Sequence, residues 1–306
     1  MSERKVMIVG VLDRPESTNV CMSKGFKQNG WDVIPINYRT IISKEGKEVF
    51  YDYLLWAVNR YKPTLTLFSK IDGVNPAIVQ KVTEQGLTWY WFMDNIRVAE
   101  AIRAEQYVIR ANLASATSSE VVEFFDRHKY TGKSYLITEG YDPDIFYPEN
   151  NNNKIDKVLF FGSATAKRLN FVSKYSDLID VYGQGWPEEI LPNPPVTLAD
   201  LRKTINKYKI VLNLVHSNIF SDRVVTTLGC GGFLLSEFCD DLSLFFDNKK
   251  DLVLFKNENE FVELVEYYLK HDDEREMIAR KGLEKAKKRH TWKDVAEKII
   301  ATVWRD

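Results

Sequence analysis

The sequence predicts two tandem Rossmann-like, doubly wound α/β domains, each a parallel sheet covered by helices on both faces. Three observations carry this. The chain has 306 residues, enough for two cores at roughly 100–200 residues each. Short apolar runs alternate with amphipathic stretches, as strands and crossover helices do in a parallel sheet. After Pro148 the polar run 149–153 interrupts the pattern, which then restarts. The expected division is a first domain over 1–150, a second over 151–290, and a terminal segment over 291–306.

In the first domain, 5–10 (KVMIVG) reads as a buried strand ended by glycine, and 19–28 as a helix closed by Asn29 and Gly30. Residues 31–37 are a second strand, and 47–61 a helix stopped by Pro63. A third strand over 64–69, a helix over 76–85 and a fourth strand over 87–93 follow. Residues 107–109 are expected as a strand, 118–128 as a helix and 134–138 as the last strand. Within 87–93, alternation sends Trp89 and Trp91 to one face and Tyr90 and Phe92 to the other. Core burial is the first reading of that run, and a stacking platform the second.

In the second domain, 157–161 (KVLFF) is a strand ending at Gly162, and 180–182 another ending at Gly183. A helix over 198–208, a strand over 210–214, a short helix over 222–228 and strands over 232–236 and 252–255 follow. Three helices close the chain, over 258–271, 273–288 and 291–304; the first two open on acids and end on bases, as the helix dipole prefers.

Lys and Arg (42) balance Asp and Glu (43), which excludes a protein held to nucleic acid by a global basic field. A local groove built from Lys24, Lys27, Arg39 and Lys44 stays open. Three scattered cysteines make neither a disulfide framework nor a CxxC pair. The N-terminal apolar run is too brief for a signal peptide, and no apolar run reaches the ~18 residues of a membrane span. A cytoplasmic protein is expected.

Ligands of doubly wound sheets sit at the carboxyl ends of the strands. The loop after Phe161 offers Gly162 for close approach, the Ser163 hydroxyl, and the cations Lys167 and Arg168, a composition suited to phosphate. Its plainer reading is a solvated strand-to-helix turn. A second loop, 216–223, carries His216, Asn218, Phe220, Ser221 and Arg223. Ser221 or Asp222 can cap the next helix, whose free amides and Arg223 would meet a diphosphate. The alternative is a capped helix whose arginine offsets Asp222. Neither GxxxxGK[ST] nor a GxGxxG in the first strand–helix turn is present.

Ser221-Asp222-Arg223 and then Leu228-Gly229-Cys230-Gly231-Gly232-Phe233-Leu234-Leu235 resemble the signature of CgeB-like (spore-maturation-type) glycosyltransferases. These belong to the GT-B superfamily, glycosyl transferases group 1 type. Matches in the same order are 158–163 (VLFFGS), 181–186 (VYGQGW), 139–148 ahead of the linker, 267–282, and His290-Thr291-Trp292. The resemblance covers nearly all of 135–300; over 1–134 it is one of topology. It implies two Rossmann-like domains with a nucleotide sugar between them and a C-terminal helix crossing back to the first. The implied co-substrate is a nucleotide sugar, with UDP as the expected nucleotide, and no further cofactor or metal is required.

The implied donor contacts are Gly162, Ser163, Lys167, Arg168, Tyr182, Gly183, His216, Asn218, Phe220, Ser221, Arg223, Thr226 and Thr227. Tyr182 and Trp186 are expected as aromatic ligand contacts. One departure matters: many retaining relatives carry two glutamates in this stretch, where Asn218 and Thr226 stand here. An inverting reaction would need a base from the first domain, for which Asp13 and Asp94 stand at strand ends, with Arg14, Glu16 and Asn95 beside an acceptor. The acceptor (glycan, small molecule, protein or modified DNA) carries no motif. Two rival readings are a non-catalytic nucleotide-sugar binder on a degenerate scaffold and a transferase glycosylating hydroxymethylated bases in DNA.

Overall fold

A computed structural model describes residues 4–15, 17–128, 134–151, 153–215 and 218–304. The chain forms two compact units: Met1–Gly140 with Asn218–Phe220 and Trp292–Asp306, and Tyr141–Ser217 with Ser221–Thr291. Each is built on its own parallel sheet.

The first unit has six strands: β1 (Lys5–Gly10), β2 (Asp32–Asn37), β3 (Leu65–Ser69), β4 (Thr88–Phe92), β5 (Leu113–Ala116) and β6 (Ser134–Leu136). All pair parallel, in the order β2-β1-β3-β4-β5-β6. Its helices are α1 (Thr18–Gln28), α2 (Tyr38–Glu45), α3 (Lys47–Tyr61), α4 (Ala77–Thr83), α5 (Ile96–Ala101), α6 (Glu105–Val108) and α7 (Ser119–His128). The second unit has β7 (Ile155–Phe161), β8 (Ile179–Tyr182), β9 (Tyr208–Asn213), β10 (Leu234–Glu237) and β11 (Val253–Phe255), parallel in the order β11-β10-β9-β7-β8. With them come α8 (Ala166–Lys174), α9 (Leu198–Lys207), α10 (Asp222–Gly229), α11 (Asp240–Phe245), α12 (Glu258–Lys270) and α13 (Asp272–Arg289). The last helix, α14 (Trp292–Val303), belongs to the first unit.

The aromatic run on β4 is core. Trp89 and Trp91 join Val6, Ile8 and Leu67 in one layer, and Tyr90 and Phe92 join Met7, Val9 and Phe68 in the other. Each polar handle finds a partner: Trp89 Nε1 donates to Ser115 Oγ (2.8 Å), Trp91 Nε1 to the Ile137 carbonyl (3.2 Å) and the Tyr90 hydroxyl to the Ile71 carbonyl (3.2 Å). Beside them β5 is small, with Ala114, Ser115 and Ala116 in register with Tyr90, Trp91 and Phe92. That pairing explains one correction. The strand expected over 107–109 is helical, because Tyr107 stacks on Tyr90 at 5.5 Å from α6, and the Leu-Ala-Ser-Ala run is the true fifth strand. Small residues fill the space the indoles leave, at the expense of any obvious strand signal.

α14 completes the first unit. Trp292, Val295, Ala296 and Ile299 enter the β4 indole layer, and Trp292 meets Trp91 edge-on at 5.9 Å. Burial of each large side chain contributes about 1.5–3 kcal/mol. The helix lies hard against α1: a Cβ on Gly25 would stand 2.2 Å from the Trp292 carbonyl oxygen.

Candidate functional site

In the second sheet the order reverses between β7 and β9, since β8 lies beyond one and β10 beyond the other. Connections leaving to opposite faces open a crevice at such a point, just past the strands' carboxyl ends. Phe161, Gly162 and Asn213 stand there.

Two guanidinium groups converge on this crevice. Arg223, from the first turn of α10, is only 6% exposed. Its Nε donates to the Phe161 carbonyl (2.9 Å) and its Nη1 to Asn213 Oδ1 (2.9 Å), and the group lies over the rings of Phe160 (4.8 Å) and Phe161 (5.2 Å). Arg168, from the first turn of α8, donates Nη1 to the Ser163 carbonyl (3.0 Å) and lies 5.5 Å over the same Phe160 ring. Thr165 caps that helix, accepting from the Arg168 amide. Between the two heads sits Gly162, at φ 138°; a Cβ there would fall 2.6 Å from Arg223 Nη2 and 3.7 Å from Arg168 Nη1. Only a residue without a side chain leaves this space open.

Burial, and then the adjacent Arg168 charge, pull the Arg223 pKa down to about 10; burial lowers that of Arg168 as well. Arg168 Nε is buried with no hydrogen-bond partner among the described residues. Two desolvated like charges side by side are costly; the Asp222 charge favours both, and an anion between them would offset more of the cost. A diphosphate fits that description.

The loop beneath is fixed by close backbone contacts. The Gly162 amide donates to the Tyr182 carbonyl (2.8 Å), and a Cβ on Gly183 would lie 2.0 Å from the Gly162 carbonyl oxygen. Trp186 donates Nε1 to that same oxygen (2.9 Å) and meets Phe160 edge-on. It is 8% exposed, so the expectation that it stacks on a ligand is corrected: its indole is committed to holding the turn. Tyr182 is half-buried, its ring edge-on to Tyr208.

Other expected donor contacts are placed elsewhere. Lys167 Nζ is engaged by both oxygens of Glu237 (2.6 and 2.8 Å) and the Val215 carbonyl (2.8 Å), which leaves it little capacity for a phosphate. Ser221 occupies the N-cap position of α10 but makes no side-chain cap bond; its hydroxyl donates to Asn213 Oδ1 (3.3 Å). The Phe220 amide donates to the Thr117 carbonyl (3.3 Å) within the first unit, so it is not a free anion donor. Asn218 also packs in the first unit, donating Nδ2 to Ser119 Oγ (2.9 Å) while its carbonyl accepts from Ser118. Thr226 and Thr227 are buried, and Thr227 packs where a Cβ on Gly232 would come within 3.0 Å of its methyl. The Thr227 hydroxyl is buried with no hydrogen-bond partner among the described residues. His216 and Glu16 lie outside the described residues.

In the first unit, Asp13 and Arg14 line a cavity of about 460 Å³ at the carboxyl ends of the strands. Asp94 accepts from Lys70, and Asn95 caps α5, accepting from the Val98 amide (3.2 Å). Arg39, considered for a basic groove, pairs with Asp72 (3.4 Å).

Three residues of the site went unnoticed in the sequence: Asn213, Ser236 and Glu237. Asn213 links Arg223 to Ser236 through its amide (Nδ2 to Ser236 Oγ, 2.9 Å), and Glu237 receives the Val215 amide (3.1 Å) besides Lys167. Their signal is faint: each is a polar residue ending an apolar strand run, at the carboxyl edge where ligands sit. Among the described residues no group of three or more His, Cys, Asp or Glu is placed to hold a metal, and no helix is long and apolar enough to cross a membrane.

Comparison with known proteins agrees with this fold. Residues 164–301 match the family model described as glycosyl transferase-like. No curated protein matches the chain by sequence. Among solved structures, Anabaena HepE in complex with UDP-glucose is similar at TM-score 0.72 and 10% identity, covering 99% of this chain and 100% of that one. Sucrose-phosphate synthase from Thermosynechococcus elongatus is similar at TM-score 0.74 and 10% identity, covering 99% and 98%. A glycosyltransferase from Rickettsia africae is similar at TM-score 0.71 and 11% identity, again covering 99% and 98%. The chain has the fold of these proteins, the two-domain GT-B fold of parallel sheets.

Proposed function

We propose that this chain, with its glycosyl transferase-like segment over 164–301, transfers a sugar from a nucleotide sugar to a hydroxyl acceptor. The donor is UDP-linked in this reading, as in the HepE complexes with UDP and UDP-glucose. One observation carries it above the others: Arg168 and the buried Arg223 converge over the bare Cα of Gly162. The CgeB-like branch is the finer assignment we favour, on Ser221-Asp222-Arg223 and 228–235. With its three cysteines outside any disulfide, the protein suits a reducing cytoplasm.

In the proposed transfer the acceptor oxygen forms a bond to the anomeric carbon as the bond from that carbon to the β-phosphate oxygen breaks. The leaving UDP keeps the bonding electrons, and the two guanidinium groups meet the charge that develops on it. Because they are held by Phe161, Asn213 and Ser163 beforehand, they need little reorganisation at that moment. The acceptor proton goes to a base. Asp13 suits this role better than Asp94, because it lines the cavity of the first unit whereas Asp94 is engaged by Lys70. Neither Asn218 nor Thr226 supplies a carboxylate where retaining relatives carry glutamates; Glu237, at the end of β10, is the acid that engages Lys167 of the first donor loop.

Incubation with a panel of radiolabelled UDP-sugars tests this. Release of UDP, with slow hydrolysis in the absence of acceptor, is the expected result. Tight UDP-sugar binding with no turnover against any acceptor would instead establish a non-catalytic binder.

A further inference from the structure

The hydrogen bonds that hold the two guanidinium groups of the crevice between β7 and β9 are made with uncharged acceptors. Arg223 donates to the Phe161 carbonyl and to the side-chain amide of Asn213, both at 2.9 Å, and Arg168 donates to the Ser163 carbonyl at 3.0 Å. Lys167, next to Arg168 in sequence, is the contrast, because both oxygens of Glu237 engage it (2.6 and 2.8 Å). Asp222 favours the two arginine charges, but among the described residues it forms no ion pair with either.

The Asn213 amide is fixed in direction. Asn213 ends β9 in register with Ser236 of β10, and the two are 1% and 0% exposed. Ser236 Oγ donates its proton to the Glu237 carbonyl (2.9 Å), so its oxygen is left to accept from Asn213 Nδ2 (2.9 Å). That turns Oδ1 toward α10, where it accepts from Arg223 Nη1 (2.9 Å) and from the Ser221 hydroxyl (3.3 Å). A guanidinium has donors only, so no other orientation of the amide serves it. An aspartate has nearly the same shape and would bind Arg223 more strongly, with charge on both partners. It would also cancel the arginine's charge and repel a phosphate a few ångströms away. The amide holds the arginine without neutralising it.

We propose that Asn213 is a positioning residue whose neutrality matters: it aims Arg223 at the diphosphate and leaves the guanidinium charge to the anion, while Ser236 sets the direction of the amide. The proposal rests on the nucleotide-sugar reading for the identity of the anion; the neutral hold on a buried arginine stands on the hydrogen bonds alone.

Calorimetric titration of the full chain with uridine, UDP and inorganic pyrophosphate, together with thermal melts without ligand, tests it on the parent, Asn213→Ala and Asn213→Asp. Asn213→Ala frees Arg223 from one of its two acceptors, so it should weaken UDP about ten-fold and lower the melting temperature. Asn213→Asp restores an acceptor at the same place, yet it should bind UDP and pyrophosphate about five-fold more weakly still. Its melting temperature should equal or exceed the parent's, because the carboxylate offsets a buried charge. Uridine affinity should be the same in all three. An asparagine that served only as a structural link would give the opposite pattern, with the aspartate variant binding UDP like the parent and melting lower. The proposal is overturned if Asn213→Asp binds UDP as tightly as Asn213→Ala or more tightly, or if it melts below the parent or fails to fold. Pyrophosphate binding without UDP binding in the parent would defeat the nucleotide-sugar reading alone, and the pyrophosphate series would then decide the role of Asn213. Absence of both would overturn the two together.

Discussion

Gly162→Ala is the smallest perturbation that reaches the anion site. A Cβ would stand 2.6 Å from Arg223 Nη2, and ordinary van der Waals contact begins at 3.4 Å, so one of the two must move by about 0.8 Å. A shift of that size in the guanidinium takes its bonds to the Phe161 carbonyl and Asn213, both 2.9 Å, past hydrogen-bonding range. Loss of one such charge-assisted bond costs about 1.5–3 kcal/mol, which is roughly 10–100-fold in UDP affinity if the arginine is a phosphate ligand. The strained φ of 138° adds about 1–3 kcal/mol to the folding cost and lowers the melting temperature by several degrees. Gly30→Ala separates the two effects. Gly30 also has positive φ (75°), but nothing lies within 4 Å of its Cβ position, so it should lose stability while keeping full UDP affinity. Calorimetric UDP titrations of both variants are the assay. Equal UDP affinity in Gly162→Ala and the parent, with the melting temperature lowered, would refute the reasoning.

Further expectations follow from the same geometry. Arg223→Lys should make donor binding pH-dependent: an environment that pulls an arginine to about 10 would draw a lysine from its usual value of about 10.4 to roughly pH 8. The lysine is charged below that pH, so UDP binding should persist at pH 6–7 and fall toward pH 9, while the parent stays level. Because folding depresses this base, the variant's stability should rise with pH above roughly 8, and a fall there would contradict the burial argument. Arg168→Met should weaken UDP about ten-fold, the worth of one charged hydrogen bond, whereas Lys167→Met should change it less than three-fold because Nζ is committed to Glu237 and Val215. Gly25→Ala should cost more than 2 kcal/mol in a denaturant titration by prising α14 from α1.

Much of this molecule is legible from its residues because strand burial and strand-end chemistry leave local traces. The β4 aromatics alternate between layers as their spacing requires, and Gly162, Arg168 and Arg223 carry the composition of an anion loop. What stays hidden is what depends on partners far along the chain. β5 reads as nothing in particular because its small residues are chosen by the indoles next to it. Trp186 looks like a ligand contact until the Gly162 carbonyl, 24 residues away, takes its indole N–H. Lys167 reads as a phosphate ligand for the same reason: Glu237 lies 70 residues downstream.

The central claim is that the crevice between β7 and β9 binds the diphosphate of the donor. Calorimetric titration with uridine, UMP and UDP, on the parent and on Arg223→Met, tests it most directly. The account predicts a steep rise in affinity from uridine to UDP in the parent, and a nearly level series in the variant, with uridine itself little changed. Equal affinities for uridine and UDP in the parent, or the same steep series in Arg223→Met, would contradict it.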